Sequence, residues 1–295
     1  MSGKDKSLVV DPKTRAVLEH KGYDVYKMIS EGAFGQVYKA KNVNRDQMDA
    51  VKVMHLAAME AKGLKKKFVD REIAALTAVR HPNVLKVNDI FRSGGRLYIF
   101  MEFAPNGTLI DKLRKAPNKC FSESTAKRYF KQCIDALVCM HVEHKMAHRD
   151  IKLENVLLDQ KWNAKLSDFG FARDWGGVGS GERLSTTFCG TEPYYAPEIV
   201  AKRPYNPFLY DVWSMGVMLF IMLNGKFPFH WKEVKKNPQI MLTEMKAKAY
   251  EYCSKVEDIL SDEVKQLISW ILTFNPNDRP NIIGVRTHAW LHDDD

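Results

Sequence analysis

The sequence predicts an α+β chain in two unequal parts, a small strand-rich unit followed by a larger helical one. Three observations predict it. Five short runs between Tyr23 and Met101 are β-branched or alternate apolar with polar, the pattern of half-buried strands. From Leu109 onward the apolar residues recur at helical spacing instead. The turn-forming tetrapeptide Ala104-Pro105-Asn106-Gly107 marks where one pattern gives way to the other.

Taken in order, residues 1–22 form a polar extension with a short amphipathic piece at 16–20. Strands are expected over 26–29, 36–40, 50–54, 85–91 and 97–101. A helix over roughly 62–80 interrupts them, with Phe68, Ile73, Leu76 and Val79 near helical spacing. It stops at His81-Pro82-Asn83, because the residue before a proline is biased out of the α region. The second part has helices over 109–114, 123–145, 209–223 and 262–272, with an ambiguous stretch at 239–250. Loops and short strands occupy 146–198. The expected organisation is an extension (1–22) and one domain (23–292), split into a small lobe (23–101), a hinge (102–107) and a large lobe (108–292). Two lobes imply a cleft, where ligands commonly bind.

Composition narrows the classes. The 295 residues are 45% hydrophobic and 27% charged, a globular balance. The net charge of +9 is spread along the chain rather than stacked in one arm. The densest cluster, at 62–67, is broken by Gly63 and Leu64 and reads as a solvated helix face, so no nucleic-acid partner is expected. The longest apolar stretch, 212–223, is short of the ~20 residues a membrane span needs and reads as a buried helix. The amino terminus lacks an apolar signal core. Five cysteines without a CxxC pair suit a reducing compartment. A monomer in the cytoplasm or nucleus, without membrane association, is the expectation.

The segment Ser30-Glu31-Gly32-Ala33-Phe34-Gly35-Gln36-Val37 lies between two expected strands. Glycines there let a hairpin backbone approach an anion and aim its N–H groups at phosphate oxygens. A plain tight turn needs the same residues. Lys52 follows on the next strand, and Glu72, on the expected helix, is placed to pair with it. A snorkelling lysine and a solvated glutamate are the bland alternative.

Three further segments decide the matter. His148-Arg149-Asp150-Ile151-Lys152-Leu153-Glu154-Asn155 is followed by Asp168-Phe169-Gly170 and then by Ala196-Pro197-Glu198. Ten positions are fixed, and a chance match at each is about one in twenty, so coincidence is on the order of 10⁻¹³ per starting point. These are the parts of the known phosphoryl-transfer template, in which positioning and charge neutralisation replace covalent work. In it Asp150 orients and accepts the proton of an attacking hydroxyl. Asn155 and Asp168 offer hard oxygen ligands to Mg²⁺, and Lys152 stabilises charge on the transferred group. Over essentially all of residues 23–292 the sequence resembles a eukaryotic protein kinase.

That resemblance implies a bilobal protein-kinase-like fold and the cofactors ATP and Mg²⁺. It implies an adenine pocket lined by Val37, Ala50 and Leu157, with Met101 as gatekeeper and backbone hydrogen bonds from Glu102-Phe103-Ala104. Ser30, Gly32 and Gly35 would belong to the phosphate loop, with Ser30 replacing its usual first glycine. Leu76, Val87, His148 and Phe169 would stack between the lobes, anchored by Asp211. Glu198 would form a buried structural bridge with Arg279. Lys152 and the segment Gly190-Thr191-Glu192-Pro193-Tyr194-Tyr195 resemble Ser/Thr rather than tyrosine kinases, with Thr191 bonding towards Asp150 and Lys152. Thr187, or else Thr186, stands where such kinases take an activating phosphate from an upstream kinase or by autophosphorylation, with Arg149 receiving it.

The segments His20-Lys21-Gly22-Tyr23, 184–190 and 205–214 resemble the testis-specific serine/threonine kinases of the calmodulin-kinase-like group, which implies a role in spermatogenesis. Two rivals stand beside the protein kinase reading: a pseudokinase scaffold, against which Lys52, Asp150, Asn155 and Asp168 are all intact, and a small-molecule kinase. His141, His144 and His148 fall at i, i+3 and i+7, but this set lacks a thiolate or carboxylate at ligand spacing, so no metal is expected on them.

Overall fold

A computed structural model describes residues 10–32, 35–57, 77, 79–168, 173–174, 184–232 and 234–292. They divide into two units, Met1–Arg80 with Leu85–Ala104, and His81–Val84 with Pro105–Asp295.

In the first unit, strands β1 (Tyr23–Gly32), β2 (Gly35–Asn42), β3 (Gln47–His55), β4 (Val87–Ser93) and β5 (Arg96–Glu102) form one antiparallel sheet in the order β1-β2-β3-β5-β4. Four strands outrun the expected runs by a few residues, because the ladder continues into polar positions that periodicity does not register, while β4 begins two residues later than expected and ends two later. Opposed residues share a face, so the register sorts the side chains. Val37, Lys52 and Ile99 lie across from one another, as do Lys39, Ala50 and Met101. The opposite face carries Tyr38, Val51, Val53, Tyr98 and Phe100, all buried.

Helix α1 (Pro12–His20) covers that second face: Leu18 is fully buried in a cluster with Val10, Tyr23, Val25, Tyr98 and Phe100. Asp11 caps the helix, its Oδ2 accepting from Thr14 N at 2.9 Å and also pairing with Arg96 of β5. The segment expected as a polar extension is therefore, from Val10 on, part of this unit's core. Asp-Pro ahead of an apolar periodic run is the start signal that marks it. The helix expected over 62–80 lies outside the described residues, apart from Thr77, Val79 and Arg80.

The second unit holds helices α2 (Leu109–Lys115), α3 (Glu123–Val138), α4 (Pro197–Val200), α5 (Pro207–Asn224), α6 (Pro238–Ala247), α7 (Ser254–Glu257), α8 (Asp262–Ile271) and α9 (Ile282–Arg286), with two short strand pairs. Strand β6 (Met146–Ala147) pairs with β9 (Arg173–Asp174), and β7 (Val156–Leu158) with β8 (Ala164–Leu166). Helix α5 is long and apolar enough to cross a membrane, yet 89% of that stretch is buried inside the protein. Asn206 caps its start and Gly225, at φ 71°, ends it. At Gly216 the helix meets α8 so closely that a Cβ would lie 2.4 Å from Ile271, so a larger residue would force the neighbouring side chains to shift.

Two expectations change. The ambiguous stretch is helical over Pro238–Ala247, started by an Asn237 cap. The single helix expected over 123–145 ends at Val138, and Cys139–Glu143 form a π turn closed by His144 N donating to Cys139 O at 3.2 Å. Lys145, at φ 50°, then redirects the chain into β6.

Candidate active site

The second unit builds its polar centre on Asp211 of α5, which is fully buried. Its carboxylate accepts the backbone N–H groups of His148 and Arg149, each at 2.7 Å, and lies 2.9 Å from His141 Nε2. Three donors make a buried charge tolerable. They also hold Arg149 at φ 64°, a left-handed conformation that a side chain occupies only when its surroundings impose it.

The next links follow from donor and acceptor logic. His148 Nδ1 accepts from Asp150 N at 3.3 Å, so its proton sits on Nε2 and is donated to Ser167 O at 2.9 Å. Ser167 donates both its N–H and its hydroxyl to Asn155 O, each at 2.8 Å. Asn155 Nδ2 donates to Asp150 O at 2.8 Å and to Asp150 Oδ2 at 3.0 Å. Lys152 Nζ donates to Asp150 Oδ2 at 2.7 Å and to Thr191 Oγ1 at 2.8 Å, and Thr191 donates to Asp150 Oδ1 at 2.8 Å. Asp150, Lys152, Asn155 and Thr191 therefore come together as expected. Among the described residues Oδ1 accepts one donor and Oδ2 two, which leaves Oδ1 with a lone pair for another hydroxyl.

Because both bonds of Asn155 Nδ2 run to Asp150, the amide oxygen faces away. Asp168 follows Ser167, exposed and at φ 59°. An amide oxygen and a carboxylate are hard donors of the kind that Mg²⁺ takes. Leu157 is half-buried on β7, bridged to Thr108. Phe169 lies outside the described residues.

Beyond Thr191 the chain is tightly seated. Gly190 sits at φ 103°, and a Cβ there would meet Tyr210 Oη at 2.3 Å. Tyr194 accepts from Leu153 N at 3.4 Å, and burial raises its hydroxyl pKa. Glu198 and Arg279 form the expected buried bridge, with two bonds of 2.8 and 3.0 Å. Before it, Ser185 and Tyr205 exchange backbone bonds, and Tyr205 Oη donates to Thr187 O at 2.8 Å. The Thr186 and Thr187 side chains are exposed. The structural parts of Tyr205, Ser167 and His141 were not legible in the sequence, since no local pattern distinguishes them.

The first unit holds the other expected residues. Ser30 opposes Val37, and Gly32 opposes Gly35, across the hairpin from β1 to β2. A Cβ on Gly35 would lie 1.9 Å from Val53 O, so the close strand approach requires glycine. Lys52 is partly buried, on the same face as Val37, Ala50 and Met101. Glu102 is tied to Lys86 by its N–H at 3.0 Å and its carboxylate at 2.8 Å, while Phe103 packs under the Lys39 ammonium at 4.8 Å. Ala104 ends the unit, half-buried. Glu72 and Leu76 lie outside the described residues.

Comparison with known proteins agrees with this geometry. Residues 23–291 match the family model described as protein kinase domain. The chain is 35% identical over 269 residues to CBL-interacting serine/threonine-protein kinase 20 of Arabidopsis thaliana, covering 91% of this chain and 58% of that one. It is 35% identical over 266 residues to CBL-interacting protein kinase 4 of Oryza sativa subsp. japonica, covering 90% and 56%. It is 36% identical over 280 residues to testis-specific serine/threonine-protein kinase 2 of Mus musculus, covering 94% and 75%. The chain thus spans little more than half the length of the first two relatives.

Proposed function

This chain belongs to the protein kinase family, and on that premise we propose that it transfers the γ-phosphate of ATP to Ser/Thr hydroxyls of protein substrates. The observation that carries the reading is the Asp150 carboxylate, fixed by Lys152, Asn155 and Thr191 and, among the described residues, with one lone pair of Oδ1 to spare. That lone pair orients an incoming hydroxyl and takes its proton, a task that rewards positioning more than basicity. Lys152 bridges Asp150 and Thr191, where its ammonium balances charge growing on the transferred group. Thr191 fixes the carboxylate from the side opposite Asn155. Asn155 Oδ1 and Asp168 are the residues that would hold Mg²⁺, which neutralises phosphate charge when bound.

In the first unit, Lys52 steadies the phosphates, on the sheet whose β1–β2 hairpin bears Ser30, Gly32 and Gly35. Val37, Ala50 and Met101 of that unit take the adenine, and the backbone of Glu102, Phe103 and Ala104 its polar edge. Phosphate on Thr187 orders the loop that Ser185 and Tyr205 already hold by its backbone, with Arg149 as counter-charge. The likeness to a testis-specific kinase supports a role in spermatogenesis.

The test is transfer of labelled phosphate from ATP to a degenerate Ser/Thr/Tyr peptide set. Wild type labels Ser/Thr peptides, and Asp150→Asn still binds nucleotide but loses at least about a hundredfold in turnover. Equal turnover by the two proteins removes Asp150 as the base. Absence of transfer by wild type with retained nucleotide binding leaves the pseudokinase reading.

A further inference from the structure

The π turn at Cys139–Glu143 rearranges the side chains that precede the His148–Asp150 segment. In a regular α-helix residues 139 and 144 would point roughly 140° apart, at 3.6 residues per turn. The i→i+5 bond from His144 N to Cys139 O widens the turn. As a result Cys139 Sγ, a Glu143 carboxylate oxygen and a His144 ring nitrogen all lie within 4.8 Å of one another. The histidine trio is thereby divided. His141 turns inward to Asp211 and His148 to Ser167 O, while His144 joins a thiol and a carboxylate.

The geometry points to a binding site for a single Zn²⁺-class ion on Cys139, Glu143 and His144, with water completing a tetrahedral shell. Sulfur, imidazole nitrogen and carboxylate oxygen are the donors such ions prefer, whereas Mg²⁺ takes oxygen alone. Metal bonds of about 2.0–2.3 Å at tetrahedral angles separate donor atoms by about 3.5 Å. Glu143 is exposed and His144 half-exposed, so both can close that gap by small rotations. Cys139 is buried and supplies the fixed inner ligand. Its S–H already points at Glu143 Oε2, 3.5 Å away. Among the described residues the His144 imidazole makes no hydrogen bond, so the ion displaces no protein contact there. On binding, the sulfur–metal bond forms and the thiol proton passes to solvent. The site is separate from the Asn155 and Asp168 oxygen set and does not depend on phosphoryl transfer.

The test uses the whole chain, stripped of metal and held in excess Mg²⁺, with Zn²⁺ added calorimetrically and Co²⁺ as a spectroscopic probe. One equivalent of Zn²⁺ should bind, and Co²⁺ should give a thiolate-to-metal charge-transfer band. Cys139→Ser should abolish the band. His144→Gln, a change at a half-exposed position with little bearing on folding, should weaken Zn²⁺ binding more than tenfold. Absence of a stoichiometric Zn²⁺ event in wild type overturns the proposal. So does a charge-transfer band that persists in Cys139→Ser, or Zn²⁺ binding unchanged in His144→Gln.

Discussion

The hydroxyl of Thr191 donates to Asp150 Oδ1 at 2.8 Å across a gap of 41 residues. Lys152 donates to both of them, so the three side chains close a ring around one carboxylate. Removing the hydroxyl at constant shape tests that ring. Thr191→Val should lower kcat about ten- to a hundredfold, the range that loss of alignment produces. Its unfolding free energy should change by about 1 kcal/mol. Thr191→Ser should recover most of the rate, and steady-state kinetics with urea unfolding separates the two effects.

Asp211 is the keystone of the catalytic segment because three donors converge on it. Asp211→Asn keeps the shape but turns an amide N–H₂ towards one of those donors. Urea denaturation should report a loss of about 2–3 kcal/mol, the cost of leaving buried polar groups unpaired. Activity should fall as well, since Arg149 is held at positive φ by the same bonds.

The Glu198–Arg279 bridge is buried, and Arg279 also donates to Leu209 O at 2.9 Å and Thr273 O at 3.2 Å. Arg279→Met alone should destabilise by about 3–5 kcal/mol, because it strands a buried carboxylate. Adding Glu198→Gln should restore part of the loss. A double-mutant cycle measures this, and fully additive effects would refute the coupling.

The ion pair that fastens α1 to the sheet carries a pH signature. Arg96 and the Thr14 N–H hold the Asp11 carboxyl down at about 2, from an ordinary 3.8. A depressed carboxyl contributes stability that is complete above its unfolded value and lost as pH falls through its folded value. Thermal stability should therefore fall between about pH 4 and pH 2 by an increment that Asp11→Asn lacks. Because the pair is partly exposed, salt should shrink the increment.

Thr187 presents its side chain to solvent while its carbonyl is held by Tyr205. Thr187→Ala should lower peptide phosphorylation about tenfold relative to phosphorylated wild type, the worth of one charge-assisted hydrogen bond. Equal rates from phosphorylated and phosphate-free wild type would dismiss this regulation.

Much of the second unit's chemistry was legible because it is local. Asp150, Lys152 and Asn155 lie within six residues, and their spacing sets most of their mutual contacts. The strand order was not, because alternation identifies a strand without naming its neighbour. The inclusion of α1 in the first unit's core was missed although Asp11-Pro12 signalled a helix start, since a cap says where a helix begins and not what it packs against. The sequence by itself determined which residue types could perform phosphoryl transfer and that the chain alternates between strand and helix periods. Only the tertiary structure decided that His141 faces Asp211, that Tyr205 holds Thr187, and that a π turn sets Cys139 beside His144. The physical reason is that spacing fixes directions only along a regular element. Partners drawn from distant segments, or across an irregular turn, are selected by packing and by the need of each buried polar group for a bond.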